Sequence, residues 1–172
     1  MRFKTITLPA LPFVSAKRLD LACRAENGGP PVPYALLAGI VAHSTVYIPE
    51  IVPLHKSLWS QALLALEDEY RQPRLRVIQL ALLILTSRPN ENHGQNEIAL
   101  ARVRHMAKHR LILQAVGAAH LLGLHIDPTH WNLPRWERSV RKRMWWTLVI
   151  HDKWRALLHG RPSKWVSSRF AY

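Results

Sequence analysis

Prolines cut this chain into segments whose apolar residues recur at helical spacing. A proline inside a helix removes a backbone hydrogen bond and clashes with the preceding turn, so helices begin or end beside it. Seven of the twelve prolines fall where such a pattern starts or stops, namely Pro49, Pro53, Pro73, Pro89, Pro128, Pro134 and Pro162. No stretch alternates apolar and polar residues for long enough to predict a strand. The sequence therefore predicts an all-α fold.

Five helices are predicted between these breaks. The predicted ranges are 33–48, 53–71, 75–87, 96–122 and 134–160. The second has an apolar residue every four positions from Leu54 to Tyr70. The third is apolar nearly all round, so we expect it to be the most buried. In the fifth, apolar residues recur every four positions from Trp136 to Leu148, and Gly160 closes the pattern.

The length and composition indicate one domain with a buried core. The chain has 172 residues, of which 48% are hydrophobic and 20% are charged, and this is enough apolar surface for a domain of ordinary size. We divide it into an irregular N-terminal segment, 1–32, a helical domain, 33–163, and an atypical C-terminal tail, 164–172.

The first residues imitate a secretory signal only loosely. Arg2 and Lys4 precede an apolar stretch that reaches Ala16, but Pro9 and Pro12 interrupt it. We therefore interpret the stretch as an unpacked N-terminal tail. No apolar run approaches the roughly 20 residues of a membrane-spanning helix, so no membrane contact is predicted.

Positive charge is concentrated in the second part of the chain. The formal net charge is +13, and residues 102–172 carry fourteen Lys and Arg side chains against three Asp and Glu side chains. A field of this size attracts nucleic acid, acidic protein surfaces or anionic lipid. The alternative is a basic face that solubilises the domain or meets an acidic segment elsewhere. We favour this alternative, because the arginines lie on helices without a recognised binding motif.

Few residues are arranged for catalysis or for metal binding. Cys23 is the only cysteine, so neither an internal disulfide nor a cysteine zinc cluster can form within this chain. His105 and His109 stand four residues apart, a spacing that zinc can use on a helix. No third ligand is evident nearby, so we favour two exposed histidines.

A second group of possible metal ligands comprises His120, His125 and Asp127, close to a predicted helix end. We give the metal interpretation little weight, because His125 can instead interact with the last carbonyls of the helix. The chain also lacks a Gly-x-Ser-x-Gly nucleophile elbow and a glycine-rich phosphate-binding loop. These observations argue against an enzyme.

Most of the seven tryptophans lie between Trp131 and Trp165. Trp145 and Trp146 are adjacent, so they point about 100° apart on a helix and cannot both face one narrow seam. We favour core packing over a platform on which a ligand stacks.

Asp152 falls on the apolar stripe of the fifth helix. A carboxylate on a buried face needs a partner, and Arg155 and Arg161 are near in sequence. We hypothesise that one of them binds Asp152 and holds the turn at 160–162 against the helix.

Five short motifs follow one another between residues 115 and 163. They are LGLHID at 122–127, WNLPRWE at 131–137, RKRMWW at 141–146, HDKW at 151–154 and GRPS at 160–163. In this order and spacing they resemble the fungal-specific transcription factor domain, also called the middle homology region. The motif residues that carry the resemblance are Leu124, His125, Asp127, Trp131, Pro134, Trp136, Glu137, Arg141, Arg143, Trp145, Trp146, Asp152, Trp154, Gly160, Arg161 and Pro162.

The resemblance implies an all-helical regulatory domain of a nuclear transcription factor. Its implied partners are other regulatory proteins or the remainder of the same factor, and DNA is contacted only indirectly. In that family a separate module with six cysteines holds a binuclear zinc cluster and binds DNA. Because this chain has Cys23 alone, no zinc and no other cofactor is expected here, and no residue is assigned a catalytic role.

Two further departures from the family pattern stand out. The family normally continues past the GRPS motif into an acidic stretch and more helices, so we expect a domain that is incomplete at its C-terminal end, with Trp145 or Trp146 partly uncovered. Residues 102–114 interrupt the expected order, and we interpret them as an insertion or a retained intron.

Two alternatives to the regulatory function stay open: a basic helical protein that binds nucleic acid without sequence preference, and a helical enzyme with an unrecognised histidine site.

Overall fold

The computed structural model describes residues 11–17, 19–20, 33–87, 97–160 and 162–163. Five α-helices lie in these ranges: α1 at Tyr34–Ser44, α2 at His55–Glu69, α3 at Leu75–Thr86, α4 at Glu97–Leu121 and α5 at Arg135–His159. Short 3-10 helices lie at Thr45–Tyr47, Pro49–Leu54 and Pro128–His130. The described ranges contain no strand, and the predicted all-α fold is confirmed.

Helix α3 is the centre of the core. It contacts each of the other four helices, and its residues from Val77 to Leu85 are buried except Gln79. Helix α1 approaches it closely at Gly39, where an added Cβ would collide with the Leu80 side chain. The prediction that the third helix is the most buried is therefore confirmed, because an apolar segment without a polar side must be covered all round.

The buried stripe of α5 begins one turn later than predicted. Val140, Met144 and Leu148 lie in the core, whereas Trp136 in the first turn is 41% exposed. The stripe of α2 is shorter too, since Leu54 is exposed and lies in the preceding 3-10 helix. Periodicity alone does not indicate where a neighbouring helix stops covering a stripe.

The N-terminal segment is not an unpacked tail over its described residues. Leu11, Phe13 and Leu19 are buried in the core. The Gln79 side chain donates a hydrogen bond from Nε2 to the Phe13 carbonyl at 2.7 Å, which explains the one polar position in the middle of α3. The expectation was wrong because a single turn of chain is too short to show any periodicity.

A buried polar pair joins the end of α1 to the start of α2. The Thr45 hydroxyl donates to the Ala42 carbonyl at 2.7 Å, so its oxygen is left to accept a hydrogen bond from His55 Nδ1. Trp59 lies edge-on to the His55 ring at 6.2 Å. Burial lowers the pKa of His55, because it disfavours the charged form of the ring.

Residues 102–114 lie inside α4 without a break in the helix. Leu111 and Ile112 from this stretch are buried in the core. The predicted end of the helix is confirmed at Gly123, which has φ +66°. In the described part of the chain, no helix combines the length and apolar content needed to cross a bilayer. The predicted tail at 164–172 lies outside the described residues.

Candidate functional site

The first two motifs, at 122–127 and 131–137, lie where α4 ends and α5 begins. The Gly123 N–H donates to the His120 carbonyl at 2.9 Å, and the Leu124 N–H donates to the Ala119 carbonyl at 2.9 Å. This pair of bonds is the Schellman arrangement, which satisfies the last carbonyls of a helix and requires a left-handed residue. Leu124 is buried, so the first motif turns the chain and returns an apolar side chain to the core.

Arg141 joins the end of α4 to the start of α5. Its Nη1 donates to the Leu122 carbonyl at 3.1 Å, and its Nε and Nη2 both donate to Glu137 Oε1 at 3.1 Å. The guanidinium also lies over the Trp131 ring, 5.2 Å from its centroid. The Arg141 and Glu137 side chains are only 14% and 18% exposed, so solvent screens these contacts little. One planar cation therefore holds three segments of the chain together.

Asp127 caps a short 3-10 helix and binds α5. Its Oδ1 accepts hydrogen bonds from the Thr129 N–H at 3.1 Å and the Thr129 hydroxyl at 2.7 Å. Lys142 Nζ lies 2.8 Å from the same oxygen. The hydrogen bond from Lys142, followed by that from the Thr129 hydroxyl, lowers the pKa of Asp127 to about 2. The pair is exposed to solvent, so salt screens it.

Trp131 and Pro134 lead the chain from the loop into α5. Trp131 packs against the helix end, since a Cβ added at Gly123 would come within 3.2 Å of Trp131 Cη2. Pro134 precedes the first residue of α5, and its carbonyl accepts from the Glu137 N–H at 3.0 Å. A proline suits a helix start, where its missing N–H would have no partner.

The trio His120, His125 and Asp127 does not assemble into a metal site. The two imidazole rings lie 5.1 Å apart, and both face Trp145, at 5.8 and 6.0 Å between centroids. Asp127 is held instead by Lys142. Within the described ranges no three His, Cys, Asp or Glu side chains are grouped to hold a metal ion. Of the two histidines expected to be exposed, His109 is half-buried, and the His105 side chain lies outside the described residues.

Asp152 is buried and binds the segment that follows α5. Its Oδ2 accepts a hydrogen bond from the Ser163 hydroxyl at 2.7 Å, which ties the chain beyond Gly160 to the helix. The attachment was predicted, but Arg155 is not its donor. Arg155 Nε has no hydrogen-bond partner in the part of the chain that the structure describes. The other predicted donor, Arg161, lies outside that part.

His151 on α5 is influenced by the charges of two cations, Arg155 on the same helix and Lys108 on α4. Burial, together with the charges of Arg155 and Lys108, lowers the pKa of His151 to about 4. Lys108 Nζ donates to the Ser87 carbonyl at 3.1 Å. His151 is therefore neutral at neutral pH, and the hydrogen bond of Lys108 connects α4 with the end of α3.

The adjacent residues Trp145 and Trp146 point to different sides of α5, as their neighbouring positions on a helix require. Trp145 is 5% exposed and Trp146 is 46% exposed, so the prediction that one of the two is partly uncovered is confirmed. Three other motif residues on α5 are exposed: Trp136, Arg143 and Trp154.

The end of the motif region is a second left-handed glycine. Gly160 has φ +59° and closes α5 as predicted, and its N–H donates to the Ala156 carbonyl. Pro162 follows it on the surface.

Three residues that bind the motif residues Asp127 and Asp152 were not predicted from the sequence. Thr129 carried a signal, since an aspartate before a short helix commonly accepts a hydrogen bond from the N–H two residues later. Lys142 lies in a run of basic residues that nothing in the pattern distinguishes. Ser163 belongs to the GRPS motif, but its bond to Asp152 depends on the path of the chain across eleven residues.

A protein-family model matches most of the chain. The family model described as the fungal specific transcription factor domain matches residues 40–170, which is more than half of the chain. This range includes all five motifs and the described parts of α2 to α5.

Two curated relatives carry regulatory names. The chain is 32% identical over 159 residues to the uncharacterized transcriptional regulatory protein C25B8.11 of Schizosaccharomyces pombe, covering 88% of this chain and 22% of that protein. It is 37% identical over 109 residues to the transcriptional activator protein DAL81 of Saccharomyces cerevisiae, covering 62% of this chain and 10% of that protein. The chain thus spans less than a quarter of the length of either relative. No solved structure matches it significantly.

Proposed function

The chain belongs to the fungal-specific transcription factor domain family, and from this membership we propose that it regulates transcription in the nucleus through contacts with proteins. Its partners are other regulatory proteins or the remaining length of the same factor, and DNA is reached only indirectly. The match over residues 40–170 is the single observation that carries the proposal.

The geometry of the motif region supports a scaffold rather than a reaction centre. Arg141, Asp127 and Asp152 each bind a neighbouring segment of the same chain. The contacts of Arg141 and Asp127 order the loop between α4 and α5, and that of Asp152 attaches the segment that follows α5. The outer side of α5 is left to solvent. The family and both relatives are regulators of transcription, and we propose no reaction for this chain.

The zinc of the family does not fit the residues of this chain. A binuclear cluster takes six thiolates, and Cys23 is the only cysteine in the sequence. In our proposal, sequence-specific DNA contact therefore belongs to a different module.

A reporter experiment tests the proposal. The complete chain is fused to a DNA-binding module of known target sequence and expressed in yeast with a reporter gene under that target. We expect reporter output to differ at least threefold from that of the module alone. The control is the Arg141→Ala variant at equal protein level, which disturbs the motif region. Unchanged output with the wild-type fusion would contradict a regulatory role.

A second function, non-specific binding to nucleic acid, is favoured by one observation. Exposed basic side chains are concentrated on the first half of α5, including Arg135, Lys142 and Arg143. Such binding would depend steeply on salt, because each phosphate contact releases counterions. Fluorescence anisotropy with unrelated duplexes at low and physiological salt separates the two functions. Tight binding at physiological salt favours the second function, and weak binding there favours the first.

A further inference from the structure

The second half of α5 carries apolar side chains on the side that faces away from the core. Trp146, Ile150, Trp154 and Leu157 are 46%, 52%, 57% and 74% exposed. Their spacing of four, four and three residues places them within an arc of about 80° on the helix. We call these four residues the outer face of α5. Scattered exposed apolar residues are ordinary, but a continuous row of two tryptophans and two aliphatic residues marks an interaction surface.

The length of the row indicates the shape of a partner. The outer face of α5 spans twelve residues, from Trp146 to Leu157, which is roughly 16 Å along a helix axis. That length corresponds to about three turns of a second helix laid against it. Helices bind to such surfaces through apolar residues at intervals of three and four.

The charge around the outer face of α5 is of one sign. Arg143 precedes Trp146 by one turn on the same side, and Lys153 is exposed between Ile150 and Leu157 on the helix surface. The two acidic residues of α5 are turned to internal partners, since Glu137 binds Arg141 and Asp152 binds Ser163. An acidic partner is complementary to this surface.

A second copy of the chain is a poor partner for the outer face of α5, because this surface is positively charged. It would bring the same basic side chains to the contact, and each chain has a formal net charge of +13. Like charges brought together across an interface disfavour association.

We infer that the outer face of α5 docks an acidic amphipathic helix of a partner protein. This inference rests on the proposed function, because it names the surface and the partner chemistry for a domain that works through protein contacts. The apolar row supplies the affinity, and the flanking cations select acidic helices over basic ones.

The test uses the complete chain and a synthetic peptide of about 18 residues that forms an amphipathic helix. The labelled peptide carries leucines at intervals of three and four and glutamates on either side. We expect saturable binding by fluorescence anisotropy. Trp146→Ala with Trp154→Ala should weaken binding at least tenfold, and Arg143→Glu should weaken it several-fold at low salt and less at high salt. A peptide with lysines in place of the glutamates should bind at least tenfold more weakly.

The matched control replaces exposed leucines of α2. Leu63 and Leu64 are 46% and 65% exposed but lie beside the exposed acidic residues Glu67 and Asp68, so Leu63→Ala with Leu64→Ala should leave peptide affinity unchanged. All the variants remove exposed side chains, and equal thermal midpoints by circular dichroism check that they fold.

Several results would overturn the inference. They are equal affinity for the wild type and the double tryptophan variant, equal affinity for the acidic and basic peptides, and a dimer in sedimentation experiments that the tryptophan substitutions dissociate. Failure of the peptide to bind while the reporter fusion still changes transcription would refute the docking surface and leave the proposed function standing.

Discussion

At the scale of single residues, the Arg141 side chain contacts three different parts of the motif region. It donates to a helix-terminal carbonyl, pairs with Glu137 and covers the Trp131 ring. Lysine could not make the same contacts, because its ammonium group lacks the planar fork of a guanidinium.

Replacement of Arg141 should lower the stability of the domain. Arg141→Ala leaves the half-buried Glu137 without its cation, and we expect the free energy of unfolding to fall by about 2–4 kcal/mol. Arg143→Ala is the control, since Arg143 is exposed and donates only to the Ser139 carbonyl; its cost should stay below about 0.5 kcal/mol. Urea unfolding measures both, and equal values for the two variants would contradict the role assigned to Arg141.

A second prediction at the residue scale concerns His151 and pH. The folded pKa is about 4, against 6.5 for an ordinary histidine, so below about pH 6.5 the unfolded chain takes up a proton that the folded chain does not. Stability should therefore fall as the pH drops from about 6.5 to about 4, by on the order of 3 kcal/mol from this group.

His151→Asn should remove this contribution. The measurement is the difference in unfolding free energy between wild type and variant across that pH range, because other histidines titrate in both proteins. A difference that does not change with pH would show that the environment of His151 is not the one described.

At the scale of elements, helix ends account for much of what the sequence could predict. Left-handed glycines close α4 and α5 where the pattern placed them, and prolines directly precede α1 and α5. Apolar patterns predicted the helices to within a few residues, because α2 and α5 each bury one side and α3 is buried nearly all round. The contact of Thr45 with His55 had no such signal, since it depends on how α1 and α2 cross.

Two glycines near the end of α4 should respond to alanine in opposite directions. Gly123→Ala forces a left-handed alanine against Trp131, and we expect a loss of about 1–2 kcal/mol. Gly117→Ala lies inside the helix with no atom within 4 Å of the added Cβ, and it should gain about 0.5–1 kcal/mol. Thermal unfolding measures both, and effects of the same sign would refute this account of the helix end.

At the scale of the whole molecule, the core depends on a segment that shows no helical pattern. Phe13 is fully buried, and its backbone receives the Gln79 side chain. The position of Phe13 in the core could not be predicted from periodicity. The path of the chain decides which short apolar segment covers α3. The motif region, in contrast, could be located from the sequence, although its internal donors could not.

Shortening the Phe13 side chain should therefore destabilise the whole domain. Phe13→Ala is expected to lower the unfolding free energy by about 3–4 kcal/mol, since it leaves a cavity beside α3. Pro12→Ala is the control, because Pro12 is exposed, and it should change stability by less than about 0.5 kcal/mol. Chemical denaturation of both variants decides whether the segment belongs to the core, and a small loss at Phe13 would exclude it.

Helix α3 contacts all four of its fellow helices, and this has a consequence for how such a sequence can be inherited. Were the chain severed between residues 87 and 97, the first fragment would expose the side of α3 that α4 and α5 now cover, and the second would lose the surface on which it rests. We expect neither fragment to fold alone in water, so a recombination breakpoint in this interval should abolish the fold.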